Sequence, residues 1–183
     1  MVPLSKLGEL NRGVSKHRPR NDPALLNGQY PLIQTGDVAA ADMYIKAYST
    51  TYSQLGLQQS RMWPEGTLCI TIAANIAKTG ILKFDACFPD SVVGFIPEQV
   101  STLYIHFWFS FFQKIIEEQA PQSAQKNINL QILRSLQVMC PPLPLQNQFA
   151  AFVHQVDASK AAVQAQLAGL TTLRAKLMQD FFG

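Results

Sequence analysis

The chain has 183 residues, of which 48% are hydrophobic and 15% charged, and its formal net charge is +3. That composition excludes general disorder and leaves room for one ordinary domain with a real core. The small basic excess permits a nucleic-acid partner without arguing for one, but its distribution says more: residues 1–20 carry Lys6, Arg12, Lys16, Arg18 and Arg20 against the single acid Glu9.

Residues 1–11 read as a first strand or turn. Residues 12–30 read as a basic loop, which Pro19 and Pro23 keep from becoming helix and Asn27-Gly28 turns. Tyr30 to Val38 reads as a buried strand stopped by Gly36-Asp37, and residues 39–50 as irregular chain. Residues 51–58 fit a short helix capped by Thr50 or Thr51. Strands follow at Arg61 to Trp63, Thr67 to Ile72, Gly80 to Phe84 and Val92 to Ile96, with a turn at Pro64-Glu65-Gly66 and a polar, exposed loop from Asn75 to Thr79. Ser101 to Glu118 is the first strong helix, with Leu103, Phe107, Phe111 and Ile115 as the core-facing stripe. Pro121 ends it. A polar loop, Gln122 to Asn127, leads to a short helix capped by Asn129, and Val138 to Cys140 makes a last strand. The expected class is α+β: a globular domain over 1–144 with a small twisted sheet, then one long helix over 145–183.

Cys69, Cys87 and Cys140 are far apart, odd in number and set among apolar residues, as expected for buried reduced thiols in a cytoplasmic protein. No CxxC pair points to zinc. The N-terminus lacks an apolar signal core, and the run from Leu103 to Ile116 is broken by His106, Gln113 and Lys114 and is too short to span a membrane. No GxSxG, HExxH, GxxxxGK[ST] or GxGxxG occurs. His17, His106 and His154 have no carboxylate or cysteine partner nearby in sequence, so they read as structural, and no catalytic or metal-ligating set is expected.

Binding signals are better. Lys16, His17, Arg18 and Arg20 place cations in a loop suited to phosphate contacts; taken alone, the run reads first as a solvated charge run. Gln34, Thr35 and Asp37 put amide, hydroxyl and carboxylate groups at a strand end, suited to base edges or to an ordinary turn exit. Arg61, Asn75 and Lys78 are weak individual candidates of the same kind. Lys126 and Asn127 suit a phosphate at the start of the short helix, or simply a capping loop.

The last forty residues repeat in heptads. One position reads Phe149, Val156, Val163, Leu170, Leu177; the position four later reads Val153, Lys160, Leu167, Arg174, Phe181. This pattern argues for a coiled-coil seam. Centring an antiparallel pair on Ala165 sets Phe149 against Phe181 of a second copy, Val153 against Leu177 and Val163 against Leu167. Lys160 then faces Leu170 and Val156 faces Arg174, with the alanines near the centre, Ala165 among them, allowing close approach.

Together these segments resemble the DNA-specificity (S) subunit of type I restriction–modification enzymes. The features that carry the resemblance are, in order, Arg12-Gly13 with Lys16-His17-Arg18-Pro19-Arg20, then Tyr30-Pro31-Leu32-Ile33-Gln34-Thr35-Gly36-Asp37-Val38. Next come Trp63-Pro64-Glu65-Gly66-Thr67-Leu68-Cys69-Ile70 with Ala73-Ala74-Asn75-Ile76-Ala77, and Ser123-Ala124-Gln125-Lys126-Asn127-Ile128. The last is the exit Pro141-Pro142-Leu143-Pro144-Leu145-Gln146-Asn147-Gln148. The family usually has Glu where Asn147 stands, a departure worth a few tenths of a kcal/mol at most, on the order of one helix-end charge.

The resemblance implies a non-catalytic subunit whose recognition domain reads one half of a split target in double-stranded DNA. Its long helix sets the spacing and receives methyltransferase subunits; S-adenosylmethionine belongs to those subunits, and a restriction subunit can join. Family members normally carry two recognition domains and two long helices. This chain shows one of each, which implies a half-subunit, either a natural short form or a fragment; a homodimer through the C-terminal helix would rebuild the architecture and read two inverted half-sites. An interaction scaffold that dimerises through the same helix and binds only protein stands as the alternative.

Overall fold

The computed structural model describes residues 1–73, 75–118 and 128–183. The chain divides into two compact units, Met1–Leu143 and Pro144–Gly183.

Three sheets organise the first unit. The apolar run of β7 (Leu68–Thr71) is buried at every position, as is β8 (Thr79–Leu82). Both lie inside a five-stranded sheet whose order is β2 (Gly8–Arg12), β10 (Val92–Pro97), β7, β8, β4 (Tyr44–Ile45). Neighbours are antiparallel except β4 and β8, where Tyr44 pairs with Ile81 in parallel. A four-stranded sheet runs β5 (Thr50–Tyr52), β3 (Leu26–Leu32), β9 (Ala86–Cys87), β6 (Met62–Trp63). The short pair β1 (Val2–Pro3) and β11 (Gln137–Val138) joins the two ends of the unit. The turn before β7 needs Gly66, whose φ of +85° is strained for any side chain.

The main core lies around Trp63, which is fully buried and stacks on Phe88 at 4.9 Å and 21°. Ile33, Val38, Ile45, Cys69, Leu82 and Val92 surround the pair. Gly94 passes directly beneath the indole: a Cβ there would lie 2.6 Å from Trp63 Cζ3 and 2.8 Å from Phe88 Cζ. A smaller cluster of Leu25, Leu32, Tyr52 and Cys87 packs under the four-stranded sheet.

Several expectations change. The segment after Leu32 is not a continued strand: Thr35–Ala40 is a helix, α1, because the Asp37 carboxylate reaches back to the Gln34 N–H at 2.7 Å and caps its first turn. Thr50 and Thr51 belong to β5, and Ser53 caps the following helix, α2 (Gln54–Gln58), accepting from the Gly56 N–H. β4 and β9 fall where no strand was expected.

The helix α3 (Thr102–Glu118) forms as expected but is turned about its axis. It buries Leu103, Ile105, His106, Trp108, Phe109 and Ile116 and packs on β8, while Phe111 is 78% and Ile115 50% exposed. The helix carries aromatic and aliphatic residues on every side, so its periodicity does not single out one face. Asn129 caps α4 (Leu130–Ser135) through its side chain, accepting from the Ile132 N–H at 2.8 Å. Cys69 and Cys87 are buried free thiols, and burial pushes both pKa values up; Cys140 is only half-buried. The expected turn after α3 and the loop before Ile128 lie outside the described residues.

The second unit is α5 (Leu143–Phe182), 40 residues of uninterrupted helix and roughly 60 Å long at 1.5 Å per residue. Pro144 stands in its first turn, where its missing N–H leaves no helical bond unmade. Val156, Val163, Leu167, Leu170, Leu177 and Phe181 are exposed along it, whereas Phe149 is half-buried and Val153 buried. Helical geometry corrects one placement. Ala165 points about 180° away from the midpoint of Val163 and Leu167, so it cannot line a seam built on those two.

Candidate nucleic-acid interface

The basic loop leaves β2 at Arg12 and is pinned near its root. The Val14 N–H donates to the Phe88 carbonyl at 3.1 Å, and the Ser60 hydroxyl donates to the Val14 carbonyl at 2.7 Å. The Lys16 N–H then meets the Gln59 carbonyl at 3.3 Å, and the His17 N–H meets Gln59 Oε1 at 3.0 Å. At its far end the Asp22 carboxylate accepts from the Ala24 N–H and caps the single 3-10 turn Pro23–Leu25. That bond is the main cause of a lowered Asp22 pKa, with His17 Nε2 at 3.0 Å a smaller one.

Between these anchors the two arginines reach solvent but are paired. Arg18 donates to the Ser15 carbonyl at 2.6 Å and to the His17 carbonyl at 2.8 Å, and its other nitrogen lies 3.4 Å from Asp90 Oδ2. Arg20 pairs with the second oxygen, Asp90 Oδ1. Lys16 is exposed, with no ion-pair partner among the described residues.

Arg61 stands at the β2 edge. It pairs with Glu9 Oε1 at 3.1 Å, and its guanidinium lies 4.1 Å from the Trp63 ring centre, a cation–π contact. Glu9 also accepts from Asn11 at 2.7 Å; that bond first, and Arg61 second, lower its pKa. These cations therefore form a partly neutralised basic surface, with exposed pairs of the kind worth about 0–1 kcal/mol each.

The other candidates gather at the opposite edge of the five-stranded sheet. α1 packs on β7 and β8, and with it come Gln34, Thr35 and Asp37. Asp37 spends one oxygen on the cap; Thr35 is half-buried and Gln34 exposed. Lys78 immediately precedes β8, and Asn75 lies in the loop before it; both are exposed. Hydrogen bonds tie that loop's described residues to β7. The Thr71 hydroxyl donates to the Asn75 carbonyl and accepts from the Lys78 N–H at 3.1 Å, while Ala77 adopts a left-handed φ of 59°. The loop was expected to be exposed from Asn75 to Thr79; Asn75 and Lys78 are, but Ile76, Ala77 and Thr79 are buried. Lys126 and Asn127 lie outside the described residues.

Sequence reading missed the most developed part of this edge. A groove of about 420 Å³ runs between α1 and residues 44–49, lined by Asp37, Tyr44, Lys46, Tyr48 and Ser49 among others. Lys83 lies 4.4 Å over the Tyr44 ring, and Tyr48 meets Phe84 edge-on at 5.2 Å. Only Tyr44 and Ile45 of this segment are strand, and Lys46 to Ser49 are exposed irregular chain, so no periodicity in the sequence marks the groove. Deeper in, His106 is buried and bonded to the Thr79 hydroxyl at 2.9 Å, and burial lowers its pKa, so the imidazole is held neutral. Among the described residues no three metal-ligating side chains converge, and no helix is long and apolar enough to cross a membrane.

The arrangement offers cations and aromatic rings beside hydrogen-bonding groups, the groups that contact a polyanion. Comparison with known proteins gives it a context. The type I restriction modification DNA specificity domain matches residues 2–171. Among solved structures, the fold is similar to a chain from a study of complex assembly and conformational transition in a type I R-M system, with a TM-score of 0.71 at 16% identity, over 98% of this chain and 43% of that one. It is similar to the HsdS subunit from Thermoanaerobacter tengcongensis, with a TM-score of 0.66 at 15% identity, over 90% and 38% respectively. It is also similar to the type I restriction–modification S subunit from M. genitalium, with a TM-score of 0.61 at 14% identity, over 98% and 43%. The chain therefore spans about two fifths of the length of each of these structures.

Proposed function

Because the chain belongs to the family of type I restriction–modification DNA specificity domains, we propose that it reads one half of a bipartite DNA target and positions methyltransferase subunits on it. A restriction subunit can join the same assembly. The observation that carries this reading is the extent of the family match, residues 2–171, which takes in the globular unit and most of α5. The chain is non-catalytic in this reading, and S-adenosylmethionine is held by the methyltransferase partner. The site of action is the cytoplasm.

Phosphate contacts come from Lys16, Arg18 and Arg20, while the α1 edge, with Asn75, Lys78 and the Tyr44–Tyr48 segment, supplies groups for base edges. Two copies pair antiparallel through α5, with Val163 and Leu167 flanking the two-fold axis, so the target is two inverted half-sites around a spacer.

Binding of double-stranded DNA as a function of salt tests the reading. The expected result is an affinity that falls steeply with salt. Lys16→Ala, Arg18→Ala and Arg20→Ala should each reduce the slope by about 0.9 for every phosphate the missing cation would have neutralised. A dimeric chain with no salt-dependent DNA binding, alone or with its methyltransferase, would instead establish the protein-only scaffold.

A further inference from the structure

Arg18 and Arg20 converge on a single carboxylate, one guanidinium on each oxygen of Asp90. Two guanidinium groups closing on one small anion make the geometry that also grips a phosphate. Asp90 comes from a different part of the chain, 70 and 72 residues from the two arginines in sequence, in the turn that precedes β10. The carboxylate is 36% exposed and the arginine side chains 54% and 45%, so all three groups reach solvent.

The loop's root carries a second sign. Ser15 is only 7% exposed, yet among the described residues its hydroxyl has no hydrogen-bond partner, and the buried Gln59 amide nitrogen has none either. Buried polar groups without partners are costly. Ser15 is also the residue whose carbonyl accepts from Arg18 at 2.6 Å.

We propose that Asp90 is an internal phosphate mimic that occupies the Arg18–Arg20 clamp in the DNA-free chain and is displaced by a backbone phosphate. The inference rests on the reading of the basic loop as a DNA contact. Its consequence is a check on indiscriminate binding. Every duplex must compete with the carboxylate for the two arginines, and only one that gains further contacts elsewhere does so at little net loss. Asp90 thus acts as a positioning residue through Arg18 and Arg20 and lowers affinity for DNA of arbitrary sequence.

The test measures binding of the full chain to a mixed-sequence DNA duplex at low and moderate salt. Four variants are compared: Asp90→Asn, Asp90→Glu, Arg18→Ala and Arg20→Ala. Two exposed ion pairs set the scale, so Asp90→Asn should bind about two- to tenfold more tightly. Asp90→Glu keeps the charge and should match the wild type; a merely structural role for the residue would not separate these two variants in that direction. Both arginine variants should bind more weakly. If they do and Asp90→Asn binds no more tightly than wild type, the mimic is wrong and the loop still contacts DNA. If neither arginine variant changes affinity, the reading of the loop fails and the mimic fails with it.

Discussion

Leu167→Asp is the sharpest perturbation of the proposed dimer. Leu167 is 64% exposed on α5, and Val163, its proposed partner across the seam, is 61% exposed. Full burial of a leucine side chain gives about 1.5–3 kcal/mol. With roughly two thirds of that surface free to be covered, each Leu167 contributes on the order of 1–2 kcal/mol to association. The leucine sits in a two-fold dimer twice, so the substitution removes about 2–4 kcal/mol before any charge is considered. Each new carboxylate must also be desolvated against Val163, for about 1 kcal/mol or more. Summed over both copies this is at least about 4 kcal/mol, or roughly a thousandfold in the dimer Kd. Sedimentation velocity across a concentration series reads this directly. Ala165→Asp is the control: the same charge two residues away, on the far face, should leave the Kd within about threefold of wild type. A Leu167→Asp chain that dimerises as well as wild type would refute the seam, and so would equal disruption by both variants.

Two further predictions concern the fold. Gly94→Ala places a Cβ against Trp63 and Phe88, which have no room to retreat; overpacking of this kind costs about 1–3 kcal/mol and should lower Tm by roughly 3–10 °C in a chain of this size. An unchanged Tm would mean the indole is not locked as described. His106 has a depressed folded-state pKa because it is buried. Below the ordinary value of about 6.5 the unfolded chain takes up a proton that the fold resists, so stability is full above that pH and falls as pH drops from there toward the folded-state pKa. Urea unfolding at several pH values should show this slope in wild type and a flatter one in His106→Gln; equal slopes would place the dependence elsewhere.

Local signals were the legible part of the sequence. Asn129 capping α4, the turn at Gly66 and the long helix α5 depend on neighbours within a few residues, and each is found where those neighbours put it. α1 was hidden because its cap is a glutamine backbone served by Asp37, with Gly36 between them, a weak start signal that mimics a strand exit. The buried face of α3 was hidden because Phe107, Phe111, Phe112 and Ile115 make other faces equally apolar, and only packing on β8 decides among them.

The candidate interface divides in the same way. The basic run is visible as a run, but its partner Asp90 is brought in by the fold from far along the chain. Arg61 and Glu9 meet because β2 closes one edge of its sheet. Gln34 to Asp37 and Lys78 are distant in sequence and are gathered at the other edge by α1 lying on β8. Residue type alone cannot report such pairings, and charge counted along the sequence therefore overstates how much of it is uncommitted.

The most direct test is to map adenine methylation genome-wide in cells that hold the cognate methyltransferase, with and without this chain. The expected result is a methylated motif that depends on the chain and consists of two inverted copies of one half-site separated by an unspecified spacer. Methylation that does not depend on the chain would contradict its role as the reader, and a chain-dependent motif with two unrelated halves would contradict the symmetric dimer.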